Sequence, residues 1–147
     1  MMKKINYLLA IIVVIMINSC ATSSFYNLPT KEFDEIDYTF EVKKQKVRNI
    51  EIAYIDEGKS DEVLLLIHGL GTSAKSWLKN IPQLSKEFRV IAVDLPGYGK
   101  SDKGYFKYSM SWNALVLTDF LDELNIGNAT FVGHSMGGQI SLHAALN

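Results

Sequence analysis

Gly133-His134-Ser135-Met136-Gly137 constrains this chain more than any other stretch. It has the G-x-S-x-G form of a nucleophile elbow, which needs a strand, a sharp turn and a helix in that order. The flanking sequence supplies them. Ala129-Thr130-Phe131-Val132 reads as a short buried strand, and Gly138 to Leu146 reads as a helix. A serine at such a turn sits in a strained backbone conformation, and strand and helix pass so close that a Cβ on either flank would clash. Gly133 and Gly137 are therefore expected to be glycines for a steric reason. The turn lifts the Ser135 hydroxyl above the sheet. The new helix aims its first N–H groups and positive dipole end at the same spot, an arrangement that favours a developing oxyanion.

With 147 residues, 48% hydrophobic and 21% charged, the chain suits one globular domain. Its formal charge of −1 and the lack of a basic stripe give nucleic-acid binding no support. Three histidines and one cysteine are scattered without metal-ligand spacing, so no metal and no cofactor is expected.

Residues 1–19 read as a signal peptide. Lys3 and Lys4 form a positive start, and Tyr7 to Ile17 is an apolar run too short for the ~20 residues of a spanning helix. The run leads into Ile17-Asn18-Ser19-Cys20, which resembles a bacterial lipobox with Cys20 as the lipidated residue. Cys20 is the sole cysteine, so no disulfide can form within the chain. Cleavage would remove two lysines and no acid, taking the charge to −3. Residues 20–37, with the polar stretch after Cys20, read as a tether. The implied location is a bacterial cell envelope, with the domain lipid-anchored to a membrane outside the cytoplasm.

Residues 38–147 read as the domain. Tyr38 to Val47 and Ile50 to Ile55 alternate apolar and polar residues, as in a hairpin turning at Arg48-Asn49. Val63 to Ile67 is a continuous apolar strand of the kind found inside parallel sheets. Ser76 to Lys86 reads as a helix starting or interrupted at Pro82. Phe88 to Val93 is the next strand. Leu95 to Lys107 is a Gly-rich loop, and a helix capped by Ser109 or Ser111 runs to Leu124 with Gly127 past its end. Leu117, Phe120, Leu121 and Leu124 share one face of it. The order β-β-β-α-β-α-β-α predicts an α/β fold with a mainly parallel sheet and an antiparallel start.

Three motifs, in order, carry a resemblance: His68-Gly69-Leu70-Gly71, Asp94-Leu95-Pro96-Gly97-Tyr98-Gly99-Lys100-Ser101-Asp102, and Gly133-His134-Ser135-Met136-Gly137-Gly138. With their strand positions, the chain resembles the α/β-hydrolase family over about residues 38–147. The resemblance is specific as to fold and nonspecific as to substrate. It implies that Ser135 is the nucleophile and that the backbone N–H groups of Leu70 and Met136 form the oxyanion hole. Gly69 and Gly71 would let the backbone approach the substrate carbonyl. A serine rather than an aspartate disfavours the haloalkane dehalogenase and epoxide hydrolase branches. Esterase, lipase, peptidase, C–C hydrolase and acyl-transfer chemistries on a small acyl substrate stay open.

In that family an acid and then a histidine follow the serine on later loops. They are expected beyond Asn147, so the chain reads as the N-terminal portion of a longer hydrolase, inactive by itself. The histidines present fit other roles. His143 lies eight residues along the helix from Ser135, about 12 Å at ~1.5 Å per residue, while a base must come within roughly 2.6–3.2 Å. His134 should leave the strand on another side, and His68 reads as a structural imidazole bonded to backbone. Asp94 and Asp102 read as loop braces, and Trp77 and Trp112 as packing residues.

Two rival readings belong to other classes. Gly69-Leu70-Gly71-Thr72-Ser73-Ala74, after a strand and about twenty residues before Asp94, imitates a dinucleotide-binding fingerprint and hence an oxidoreductase. Alternatively, the chain is a catalytically inactive lipoprotein that acts as a binding module. Gly97 to Ser101 imitates the end of a phosphate loop, but Asp94 stands where that loop needs its first glycine, and its carboxylate would repel phosphate.

Overall fold

A computed structural model describes residues 35–146; the expected signal peptide, Cys20 and the tether as far as residue 34 lie outside them. The first two strands, β1 (Lys43–Val47) and β2 (Ile50–Glu57), form an antiparallel hairpin. Arg48 and Asn49 are both left-handed (φ 48° and 67°), the backbone of a two-residue turn whose twist matches the strands. The other strands, β3 (Val63–Ile67), β4 (Arg89–Val93) and β5 (Thr130–Gly133), run parallel to one another, and the sheet order is β1-β2-β4-β3-β5. The antiparallel start and parallel remainder predicted from the sequence are present, and β3 has the predicted bounds.

β3 is apolar throughout, and β4 is apolar after Arg89, because each feeds two cores. Side chains alternate across a strand, so Leu65, Ile67, Ile91 and Val93 enter one core and Leu66, Val90 and Ala92 the other. The first core is closed by α2 (Met110–Glu123) and α3 (Met136–Ala145). Leu117, Phe120 and Leu121 point inward, as their spacing predicted, and Phe120 meets the Tyr54 ring edge-on at 5.1 Å. The second core is closed by a 3-10 turn (Ala74–Trp77) and the short helix α1 (Ile81–Leu84).

Three local expectations are corrected. Tyr38 to Val42 is not strand: Thr39 is left-handed (φ 57°), its N–H donates to Asp37 Oδ1, and Tyr38 turns into the second core. Residues 76–86 do not form one helix. Pro82 offers no N–H and its ring excludes a helical carbonyl four residues earlier, so the chain makes the 3-10 turn capped by Ser73 and begins again at Ile81. Finally, α2 is stopped by Asn125 rather than Gly127. Asn125 is left-handed (φ 55°), and the Ile126 N–H closes back on the Leu121 carbonyl at 2.9 Å. Ser109, the nearer of the two expected caps, accepts from the Trp112 N–H.

Phe120 is fully buried between sheet and helix. Phe120→Ala is expected to cost about 3–5 kcal/mol of unfolding free energy, read as a lower denaturant midpoint at unchanged slope.

Candidate active site

The sheet topology selects one location. The connection after β3 crosses the second core, while α3 after β5 covers the first, and β3 and β5 are hydrogen-bonded neighbours. The carboxyl ends of these two strands, where adjacent connections leave to opposite faces, are therefore the place where a site is expected. The sequence places His68-Gly69-Leu70-Gly71 at one side of it and His134-Ser135 at the other.

Backbone packing draws the two loops together. The His134 N–H donates to the Ile67 carbonyl at 3.0 Å. A Cβ on Gly133 would strike the backbone of Gly137, and one on Gly137 would strike the carbonyls of Ile67 and His68. Only glycine fits at either position. A Cβ on Gly69 would lie 3.4 Å from that of Ser135 and 3.1 Å from His134 Nδ1, so the loop after β3 touches the elbow. Ser135 itself is exposed and adopts φ 54°, ψ −115°, a strained conformation for a residue with a Cβ. The amides of Gly137, Gly138 and Gln139 are taken by the carbonyls of His134 and Ser135. The N–H groups of Leu70 and Met136 have no backbone acceptor among the described residues. Gly71 is left-handed (φ 72°) with open space around it, so its role is conformational.

His68 is fully buried, and both ring nitrogens are engaged. Nε2 accepts from the Leu95 N–H at 3.1 Å, which leaves the proton on Nδ1, donated to the Gly69 carbonyl at 2.8 Å. The imidazole is thus a neutral brace between the loops after β3 and β4, with the Tyr98 ring edge-on at 5.1 Å. Burial pushes its pKa below the ordinary 6.5, against the opposing pull of the Gly69 carbonyl and the Asp94 charge.

Asp94 is a second brace. It is 1% exposed, with Oδ1 accepting from the Ala74 N–H and Oδ2 from the Lys100 N–H and the Tyr38 hydroxyl, each at 2.7 Å. Gly99 is left-handed (φ 48°) and lies so close that a Cβ there would strike this carboxylate. Ser101 Oγ donates to the Asp94 carbonyl while accepting from the Ala53 N–H, and Asp102 Oδ2 accepts from the Glu51 N–H. Both aspartates brace the loop, as expected. This geometry also removes the dinucleotide reading. Asp94 is sealed inside rather than turned to a ribose, and Gly69–Ser73 leads into a four-residue 3-10 turn in place of a helix.

Tyr38 was missed as a site residue. Burial pushes its hydroxyl pKa far up, so it stays a donor to Asp94 from 56 residues away. Nothing local in the sequence signals that contact. Trp77 is part-buried against the second core, and Trp112 stacks on Phe106 at 5.5 Å, so both pack as expected.

His68 gives a pH signature. It is neutral when folded but takes up a proton near pH 6.5 when unfolded. Its contribution to stability is therefore complete above that pH and is lost progressively as the pH falls below it. The stability gap between the protein and His68→Gln is expected to narrow between about pH 8 and about pH 5, measured by denaturant unfolding across that range. An unchanged gap would contradict the neutral brace.

Comparison with known proteins agrees with this geometry. The sequence pattern described as the alpha/beta hydrolase fold matches residues 62–147. Among curated relatives, the dihydrolipoyllysine-residue acetyltransferase component of the acetoin cleaving system of Cupriavidus necator is 33% identical over 122 residues, 83% of this chain and 33% of that protein. The 2-hydroxy-6-oxononadienedioate/2-hydroxy-6-oxononatrienedioate hydrolase of Burkholderia vietnamiensis is 42% identical over 103 residues, 67% of this chain and 36% of its own length. A solved epoxide hydrolase from metagenomes of hot environments superposes with a TM-score of 0.69 at 36% identity, covering 73% of this chain and 37% of that one. The chain thus spans about a third of the length of these relatives. By sequence pattern and by architecture, it belongs to the alpha/beta hydrolase fold family.

Proposed function

We propose that this protein is a lipid-anchored serine hydrolase that cleaves an ester or related acyl bond, with Ser135 as nucleophile. The observation that carries the reading is the strained, exposed backbone of Ser135 held against Gly69 at the switch point of the sheet. Strain of this kind persists only where the surroundings over-determine it, and it clusters at reacting groups.

In the proposed reaction Ser135 Oγ attacks the acyl carbon and gives up its proton to a base. The carbonyl oxygen becomes an oxyanion between the N–H groups of Leu70 and Met136, at the positive end of α3. Collapse of the tetrahedral intermediate expels the alcohol or amine and leaves an acyl-enzyme, which water hydrolyses. His68 is not the base, since both its nitrogens are committed to backbone. The base and its orienting acid would be the histidine and the aspartate or glutamate that follow the serine on later loops in this fold. Relatives named as a hydrolase and as an epoxide hydrolase support hydrolysis as the class. The hydroxyl at position 135, in place of a carboxylate, supports acyl rather than epoxide or haloalkane chemistry. Lipidation at Cys20 would hold the domain at the outer side of a membrane.

A fluorophosphonate probe tests the reading on the protein isolated from its native cell. Peptide mapping is expected to find one adduct, on Ser135, and Ser135→Ala should lower ester hydrolysis by at least about 10³-fold. A folded protein that takes no label would instead favour the binding-module reading.

A further inference from the structure

The loop after β4 carries an exposed aromatic set that the proposed reaction does not use. Tyr105 is wholly exposed and Tyr108 is 40% exposed. Phe106 stacks on Trp112 at 5.5 Å, Tyr108 meets the two rings edge-on at 5.6 and 6.2 Å, and Leu115, one turn further along α2, is exposed as well. The cluster is built rather than loose. Gly97 approaches the Tyr108 ring closely, Tyr108 donates to the Gly104 carbonyl, and Phe106 and Trp112 rest on the first core. Phe106, Tyr108 and Trp112 therefore form a braced apolar surface, with the exposed Tyr105 ring beside it. Lys100, Lys103 and Lys107 flank it, against one acid in the loop, the exposed Asp102, which accepts from the Glu51 N–H.

Two features fix where this surface faces. The loop leaves the carboxyl end of β4, and β3, β4 and β5 are parallel, so the aromatic set lies at the same end of the sheet as Ser135. Tyr38 and Ile36, among the first described residues, also sit at that end. Tyr38 bonds to Asp94 beneath the Lys100 side chain, and Ile36 borders a groove of about 600 Å³ with Gly71, Ser73, Tyr98 and Gly99. The first described residues thus enter the domain beside the site.

We infer that the Tyr105–Tyr108–Trp112 surface docks on an anionic lipid bilayer and turns the Ser135 end of the sheet toward it. Tyrosine and tryptophan favour the headgroup level, where an apolar ring and a polar edge are both satisfied. Lysines beside them are drawn to the negative surface potential, and rigid rings lose little freedom on docking. The inference shares only membrane proximity with the proposed function, and it concerns docking, not catalysis.

The test uses the full chain with Tyr105→Trp, a site with no buried contact to lose. The protein is reconstituted in phosphatidylcholine–phosphatidylglycerol vesicles, with or without acyl chains brominated near the headgroup. The emission added by the substitution is expected to shift to the blue and to be roughly halved by the brominated lipid. Tryptic cleavage after Lys107 should slow about tenfold on the vesicles relative to detergent. Equal emission in both vesicles, from a chain that floats with them, would overturn the inference, since the anchor alone would then hold the protein. A chain that does not float would overturn it too. So would emission already blue-shifted without lipid, which would mean that protein covers the rings. Fluorophosphonate labelling of Ser135 reads the catalytic proposal separately in the same samples.

Discussion

The approach of α3 to the end of β3, with no side chain between them, is the constraint on which the rest depends. Gly137 lies against the carbonyls of Ile67 and His68, and Gly133 against Gly137 itself. This contact sets the angle at which α3 leaves the sheet and forces the serine between the glycines into its strained turn. It also brings the loop after β3 within touching distance of that serine. A methyl group at either glycine would push the helix outward and separate the two loops. Site and core packing are one feature here: Ile140, three residues beyond Gly137 on α3, is fully buried in the core below.

Around that contact the loops are held by buried polar groups rather than by secondary structure. His68 ties the loop after β3 to the loop after β4, and Asp94 ties the loop after β4 to the turn at Ala74 and to Tyr38. Each is almost fully buried and hydrogen-bonded on every side that needs it, the condition under which such groups rigidify rather than destabilise a core. The chain thus spends an ionisable carboxylate and an imidazole on positioning backbone. That use explains why neither is free for chemistry, although both lie within motifs that border the site.

Much of this was legible in the sequence, for physical reasons that differ by element. The apolar run Val63 to Ile67 could only be a strand buried on both faces. The paired glycines around Ser135 announced a close approach of backbones, and the Leu117–Phe120–Leu121 face announced the helix packing. What escaped were contacts between residues distant in the chain and choices among equivalent local signals. Tyr38 kept an alternating pattern with the strand after it, yet the hydroxyl bond to Asp94 and the turn at Thr39 took it out of the sheet. Asn125 and Gly127 were both competent to end α2, and the residue nearer the last apolar contact did so. Pro82 was recognised as an obstacle, but not that the chain would divide into two short turns around it. The site followed the same rule: Ser135 and its glycines were local and readable, while the engagement of both His68 nitrogens required Leu95 from another strand end.

The strand order carries a consequence for synthesis. β3 lies between β4 and β5, and both neighbours are made after it. As the chain leaves the ribosome, Val63 to Ile67 has no ladder partner until Arg89–Val93 follows, and its other edge waits for Thr130–Gly133. The most apolar segment of the domain is thus the one exposed longest during translation. Such a non-local topology folds slowly and leaves a sticky edge in the nascent chain. The β1–β2 hairpin can close early through its two-residue turn, but it pairs with β4, not β3, and so gives that edge no cover. A chaperone that shields apolar strands would find its main task on this chain from the synthesis of residue 67 until that of residue 133.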